Sequence, residues 1–213
     1  MTLITDKGKN GLLNPQFREF LLTPTPKTEI TAKEADELEQ LLKDGLKEYP
    51  GLGISATQLG IKKRACYIKF GDEENGRELF LLNPVITSRS NDGFIFYEGC
   101  LSIPKTVENP LRTIRACKVV VQTDNFGELT FEINREGDKE QVSVETMMTV
   151  IVQHEIDHLD GITIKDRVYS TTRTVKATPG RNSIVVMKSP EGELVEVKYK
   201  KANDYYLKGY EIV

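Results

Sequence analysis

The chain has 213 residues, 38% of them hydrophobic and 29% charged, and a net charge of −3 at pH 7. These values suit one soluble globular domain with a small appendage, and so weak a charge argues against a protein that binds nucleic acid over its whole surface. No apolar run reaches the length of a membrane span, the first ten residues hold no signal-peptide core, and the three cysteines (Cys66, Cys100, Cys117) are too scattered for a disulfide framework, so a reducing cytoplasm is expected.

Residues 1–30 read as an irregular lead-in, because Pro15, Pro24 and Pro26 interrupt any long element. Thr31 and Glu34 then form a capping-box pattern, and Leu38, Leu42, Leu46 and Tyr49 recur at helical spacing until Pro50 and Gly51. Strand-like runs follow at 65–70, 79–87, 93–97, 117–122 and 128–133. Residues 72–76 and 125–127 read as connections between neighbouring strands. A second helix is expected over about 144–159, ending before Gly161. Met147, Met148, Val150, Ile151, Val152, Ile156 and Leu159 cover most of its circumference, which marks a helix inside the protein.

The last 45 residues change character. Residues 170–178 are rich in β-branched side chains, and Pro179 and Gly180 mark a break. Two alternating runs at 183–187 and 193–199 read as a hairpin turned at 190–192, followed by a short helical piece near 202–207 and a final strand at 210–213. Residues 165–208 hold ten Lys and Arg against five Asp and Glu, although the chain as a whole is acidic. A solvated basic surface and a dock for an acidic partner such as ribosomal RNA both fit that balance.

Three strings carry chemistry. The only two histidines, His154 and His158, lie four residues apart with Glu155 beside the first. On a helix that spacing puts both imidazoles on one face, the layout of two metal ligands with a general base. Burying these groups in an apolar helix is costly unless a cation neutralises the carboxylate. A catalytic site of the zinc type takes three protein ligands and leaves a position for water, so a third ligand must come from Cys, Asp or Glu. Glu191, Glu193 and Glu196 are formally open. Cys100 is the better candidate, because Gly99 lets the backbone turn closely and a thiolate is a strong soft ligand. Cys66 and Cys117 stand in strand contexts and read as core thiols. The third string runs from Gly51 to Gln58: two glycines and small side chains around one amide. It fits a backbone approached by an extended peptide, and equally a plain turn.

In this order, the Gly51–Gln58 segment, Glu98 to Ser102 and Gln153 to Gly161 resemble the peptide deformylase family over about residues 11–168. The resemblance implies an α+β fold of short, mostly antiparallel strands around a buried metal-binding helix. It implies a catalytic domain over 1–168, leaving residues 169–213 as a small β-rich basic appendage. It implies hydrolysis of the formyl group from the N-terminal formyl-methionine of new polypeptides. Cys100, His154 and His158 would hold the metal, with Fe²⁺ expected and Zn²⁺, Ni²⁺ or Co²⁺ compatible with the same donors. Glu155 would move the proton, and the Gln58 amide and the Leu101 N–H would stabilise the oxyanion. Gly53 and Ile54 would pair with the peptide main chain, and Met147, Val150 and Ile151 would line the methionine pocket. Two positions depart from the family pattern: Ser55, where Ala is usual, and Val107, in a stretch where many relatives carry Arg. Typical bacterial members continue into a further helix, which residues 166–180 would form poorly. A monomer in the cytoplasm of a bacterium, or of a phage host, is expected, with the ribosome as a candidate partner of the appendage. A zinc peptidase with a distant carboxylate ligand and a catalytically dead binding relative are the alternatives. The peptidase would tolerate loss of Cys100, whereas the deformylase reading needs it for the metal, and a dead relative need not keep Cys100, both histidines, Glu155 and Gln58.

Overall fold

Pro15 starts a helix where the sequence pointed to an interruption. In a computed structural model describing residues 2–6, 14–71, 76–103, 111–134, 142–169, 184–190, 192–201, 205 and 211–212, α1 spans Pro15–Leu21. The Asn14 side chain accepts the Gln16 N–H at 3.0 Å, and Pro15 stands in the first turn, where a missing N–H costs nothing. Helix α2 (Ala32–Glu48) has the predicted capping box, with Glu34 accepting the Thr31 N–H at 2.9 Å. Its buried stripe of Leu38, Leu42 and Leu46 packs on Ile54, Leu59, Tyr67 and Phe80.

The chain divides into two compact units, Met1–Tyr169 and Ser170–Val213. In the first, β1 (Gly53–Ser55), β2 (Ala65–Phe70) and β3 (Arg77–Leu82) form an antiparallel sheet in that order. β1 is a strand rather than a turn, and it forms an edge of that sheet. The single run expected at 79–87 is broken: Asn83 has a φ of 48°, and the chain restarts after Pro84 as β4 (Val85–Arg89). Asn tolerates the left-handed region better than other residues with a side chain. Here its amide is also tied to Thr28 O at 2.8 Å and Asp124 Oδ2 at 2.6 Å. β5 (Gly93–Glu98) pairs with β6 (Leu111–Ala116), a strand absent from the sequence reading. β7 (Lys118–Thr123) lies between β4 and β8 (Gly127–Glu132). Every one of these pairings is antiparallel.

Helix α3 (Val144–Leu159) is capped by Ser143, and all residues from Met148 to Leu159 are buried. Met148, Ile151, Val152, Ile156 and Leu159 meet Ile68, Leu81, Val119, Val121 and Phe131 from the two three-stranded sheets around it. Burying side chains of this size stabilises by about 1.5–3 kcal/mol each, which keeps a helix carrying so many polar groups inside. Gly161 ends it at a φ of 73°, where a Cβ would come within 3.0 Å of Pro24 N. The architecture is α+β, with short antiparallel strands around a buried helix.

In the second unit, β9 (Ile184–Lys188) is flanked by β10 (Leu194–Lys198) and β11 (Glu211–Ile212), both antiparallel to it. Gly192, at a φ of 94°, serves the β9–β10 turn. Residues 170–183 and most of 202–207, including the expected helical piece, lie outside the described residues, as does Val107. Among the described residues no helix is long and apolar enough to cross a membrane.

Candidate metal centre

One turn of α3 separates His154 from His158, and their rings stand 4.9 Å apart, nearly perpendicular. β5 ends at Glu98, and the turn after it brings Cys100 over the same helix. A Cys100–Ile103 bridge holds that turn closed. The Cys100 Sγ lies 3.3 Å from His158 Nε2, and one ligand atom from each of Cys100, His154 and His158 falls within 4.8 Å of the others. All three residues are buried.

Glu98 sets the orientation of His154, accepting at 2.7 Å from Nδ1 and so leaving Nε2 to face the thiol. Glu98 is itself gripped. Arg115 on β6 donates from Nε to Oε1 at 2.6 Å and from Nη2 to Oε2 at 2.8 Å, and the Thr113 hydroxyl donates to Oε1. The third arm of Arg115 reaches Asp157 on α3, which also accepts from Arg167 at 2.9 and 2.7 Å. Burial works to raise the Glu98 carboxyl, but the bonds from Arg115 and then His154 outweigh it and hold the group well below the usual carboxylate range. Burial likewise disfavours charge on His154, yet the Cys100 sulfur and Glu98 raise its pKa well above normal. His158 goes the other way: burial, then the neighbouring His154, lower its pKa and keep it neutral.

These donors fit a metal ion. A thiolate and two imidazoles are the donor types chosen by zinc, ferrous iron, cobalt and nickel, and three ligands from the protein leave room for water. Beside them stands Glu155. Burial pushes its carboxyl up to about 7, with His154 pulling it back. Its Oε2 is buried without a hydrogen-bond partner among the described residues. Its Oε1 abuts Gly53, where a Cβ would stand only 2.6 Å away and 2.7 Å from Ile151 Cγ2. The close approach that Gly53 permits is thus to α3.

A cavity of about 500 Å³ opens over this group. Of the residues singled out in the sequence, Gly53, Gln58, Cys100, Leu101, Met147, Val150, Ile151, His154 and Glu155 line it. Ile54 does not: it is fully buried among the α2 leucines, so its side chain belongs to the core. His158 is behind the wall, with 1% of its surface exposed. Phe96 and Tyr97 add an aromatic wall that sequence reasoning missed, as it missed Arg115, Thr113 and Arg167 behind the histidines. A signal for the ion pairs existed: Asp157 is a second acidic residue, besides Glu155, on a helix read as lying inside the protein, and a buried carboxylate needs a cation.

Three such donors with the Glu155 carboxylate beside them are the constellation of a metal-dependent hydrolase, in which a bound metal would activate water. The chain belongs to the polypeptide deformylase family, whose family model matches residues 18–174. A peptide deformylase of Desulfitobacterium hafniense is 35% identical over 148 residues, which cover 70% of this chain and 87% of that one. One from Xylella fastidiosa is 36% identical over 112 residues, covering 53% of this chain, and the match spans only 58% of that relative's length. The crystal structure of a probable peptide deformylase from a Synechococcus phage superposes with a TM-score of 0.59 at 26% identity, covering 78% of this chain and 99% of the phage protein.

Proposed function

We propose that the protein hydrolyses the formamide of N-terminal formyl-methionine on newly made polypeptides, releasing formate and a free amine. One observation carries this reading: beside the metal triad the Glu155 carboxylate, its Oε2 without a hydrogen-bond partner among the described residues, lines the same cavity as the Gln58 amide. Cys100, His154 and His158 would hold the metal, which would supply Lewis acidity and lower the pKa of a bound water from about 15.7 toward about 7. Glu155 takes a proton as the water oxygen bonds to the formyl carbon, then delivers it to the departing amine nitrogen as the C–N bond breaks. Gln58 Nε2 and the Leu101 N–H stabilise the oxyanion, and losing one such donor typically costs about 10²–10³ in rate. The peptide main chain runs along Gly53 and Ile54 on the open edge of β1, in the strand-addition mode. The methionine side chain is received by Met147, Val150 and Ile151, with Phe96 opposite.

Ferrous iron is the proposed resident ion, with zinc, nickel and cobalt accepted by the same donors. The catalytic domain is taken as 1–168. The protein works as a monomer in the cytoplasm, and the basic appendage at 169–213 is a candidate contact with the ribosome. The test is formate release from formyl-Met-Ala-Ser by anaerobically prepared protein, with metal content assayed alongside. Activity that tracks metal and vanishes in Glu155→Ala supports the reading. One equivalent of metal with no formate released refutes it.

A further inference from the structure

Gln58 sits in a short turn directly after β1, 1% exposed, and both ends of its amide are held. Its Oε1 accepts two hydrogen bonds from one residue: the Ser55 N–H at 2.9 Å and the Ser55 hydroxyl at 3.2 Å. Its Nε2 donates to the Ser102 hydroxyl at 3.1 Å. Thr57 Oγ1 lies 3.1 Å from Ser55 Oγ and can donate to it, freeing the Ser55 proton for Gln58. A primary amide offers two acceptor sites and two donors. Both acceptor sites are therefore filled and one donor is used. Among the described residues that leaves one N–H without a partner, on a side chain that lines the cavity over the metal triad. The reversed amide would put its NH₂ against the Ser55 N–H, donor facing donor, so the orientation is fixed.

We infer that Ser55 is a positioning residue for the reaction: its hydroxyl locks the Gln58 amide and polarises it, so that the remaining N–H is aimed at the developing oxyanion and donates more strongly. The inference rests on the deformylase reading above. Two physical effects act together. A donor fixed before the reaction needs no reorganisation as charge develops. A hydrogen bond accepted at an amide oxygen also draws electrons from its nitrogen and strengthens the N–H, as in hydrogen-bonded chains generally. Alanine keeps the backbone N–H bond to Oε1 and loses the rest. All four residues of the relay, Thr57, Ser55, Gln58 and Ser102, are buried, so bulk water does not readily replace a deleted hydroxyl.

The test is a double-mutant cycle on metal-loaded, anaerobic protein with formyl-Met-Ala-Ser as substrate, comparing wild type, Ser55→Ala, Gln58→Ala and the double variant. The wild type should release formate. Ser55→Ala should lower kcat about five-fold, the size expected for one neutral hydrogen bond, with KM unchanged. In the Gln58→Ala background the same substitution should have no further effect, because its target is gone. Unchanged kcat in Ser55→Ala overturns the inference, as does a rise in KM alone. An equal loss in both backgrounds also overturns it, since Ser55 would then act without Gln58. A wild type that binds metal yet releases no formate refutes the activity itself and the inference with it, whereas an active wild type with an indifferent Ser55→Ala refutes only the clamp.

Discussion

Replacing Arg115 by Met should strongly destabilise the fold. The guanidinium is 2% exposed and makes three charge-assisted bonds, two to Glu98 and one to Asp157, whose side chains are 4% and 2% exposed. Met fills much of the volume but, among the described residues, leaves Glu98 hydrogen-bonded to His154 and Thr113 alone, and Asp157 to Arg167 alone. Removing one partner of a buried ion pair costs about 3–5 kcal/mol, because the stranded charge keeps its desolvation penalty. Arg167 gives the internal comparison: it is 31% exposed and shares Asp157 with Arg115, so Arg167→Ala should cost much less, about 1 kcal/mol after solvent screening. Urea unfolding in the presence of chelator measures both without a contribution from metal binding. Competition with a metal chelator should separately show about 10–100-fold weaker metal binding in Arg115→Met, since His154 loses the brace behind its Glu98 partner. A loss below about 1 kcal/mol for Arg115→Met, or equal losses in the two variants, would refute the reasoning.

Other expectations follow from the same geometry. Gly53→Ala should abolish most formate release while one equivalent of metal is retained, since its Cβ would meet Glu155 Oε1 at 2.6 Å; an active Ala variant would show that Glu155 has room to move. Because His154 has a raised pKa, metal binding must displace its proton, so affinity should fall on acidification and keep rising with pH beyond the ordinary imidazole range; a chelator competition series that is flat with pH would contradict this. The Glu34 carboxyl is lowered to about 2, chiefly by its bond from the Thr31 backbone and then by Lys63. Its folded-state pKa is depressed, so its stabilisation is present above about 4.5 and is lost as pH falls toward 2. Wild type and Glu34→Gln should therefore differ in unfolding midpoint near pH 6 and converge near pH 2, and a gap constant with pH would exclude this origin. Thr31→Ala should cost about 1 kcal/mol in urea unfolding through the lost cap, and a loss near zero would show that the box contributes only locally.

Helices α2 and α3 were legible because their signals are periodic and local. Leu38, Leu42 and Leu46 mark one face of α2, and Thr31 with Glu34 mark its start. The expected limits of α3 match the observed Val144–Leu159, and its two histidines carry their own geometry. Three misses have physical causes. Pro15 was weighed as an interruption, although Asn-Pro is also a helix start. Asn83 and Pro84 lie in an otherwise strand-like run, and the positive φ that splits it depends on Thr28 and Asp124, both far away in sequence. Strand β6 was missed because the β5–β6 hairpin is inverted relative to a hydrophobic pattern. Glu98, Thr113 and Arg115 are buried, whereas Ile95, Tyr97 and Ile114 are 41–62% exposed. Alternation read from hydropathy assigns such a hairpin the wrong inner face. The brace behind the metal donors was hidden for the same reason: an arginine at 115 gains its meaning only when folding puts it between positions 98 and 157.

The thiol and the second imidazole are 58 residues apart in sequence, so a metal joining them closes a long loop of chain. The Arg115 fork spans the same two segments, from the β5–β6 hairpin to α3, with no ion required. It acts as a permanent rivet beside a removable bolt. Closing a second link between segments already fastened together costs little additional chain entropy. A proposed ion could therefore leave with the hairpin still seated on its helix, and an incoming one would find Cys100, His154 and His158 already assembled.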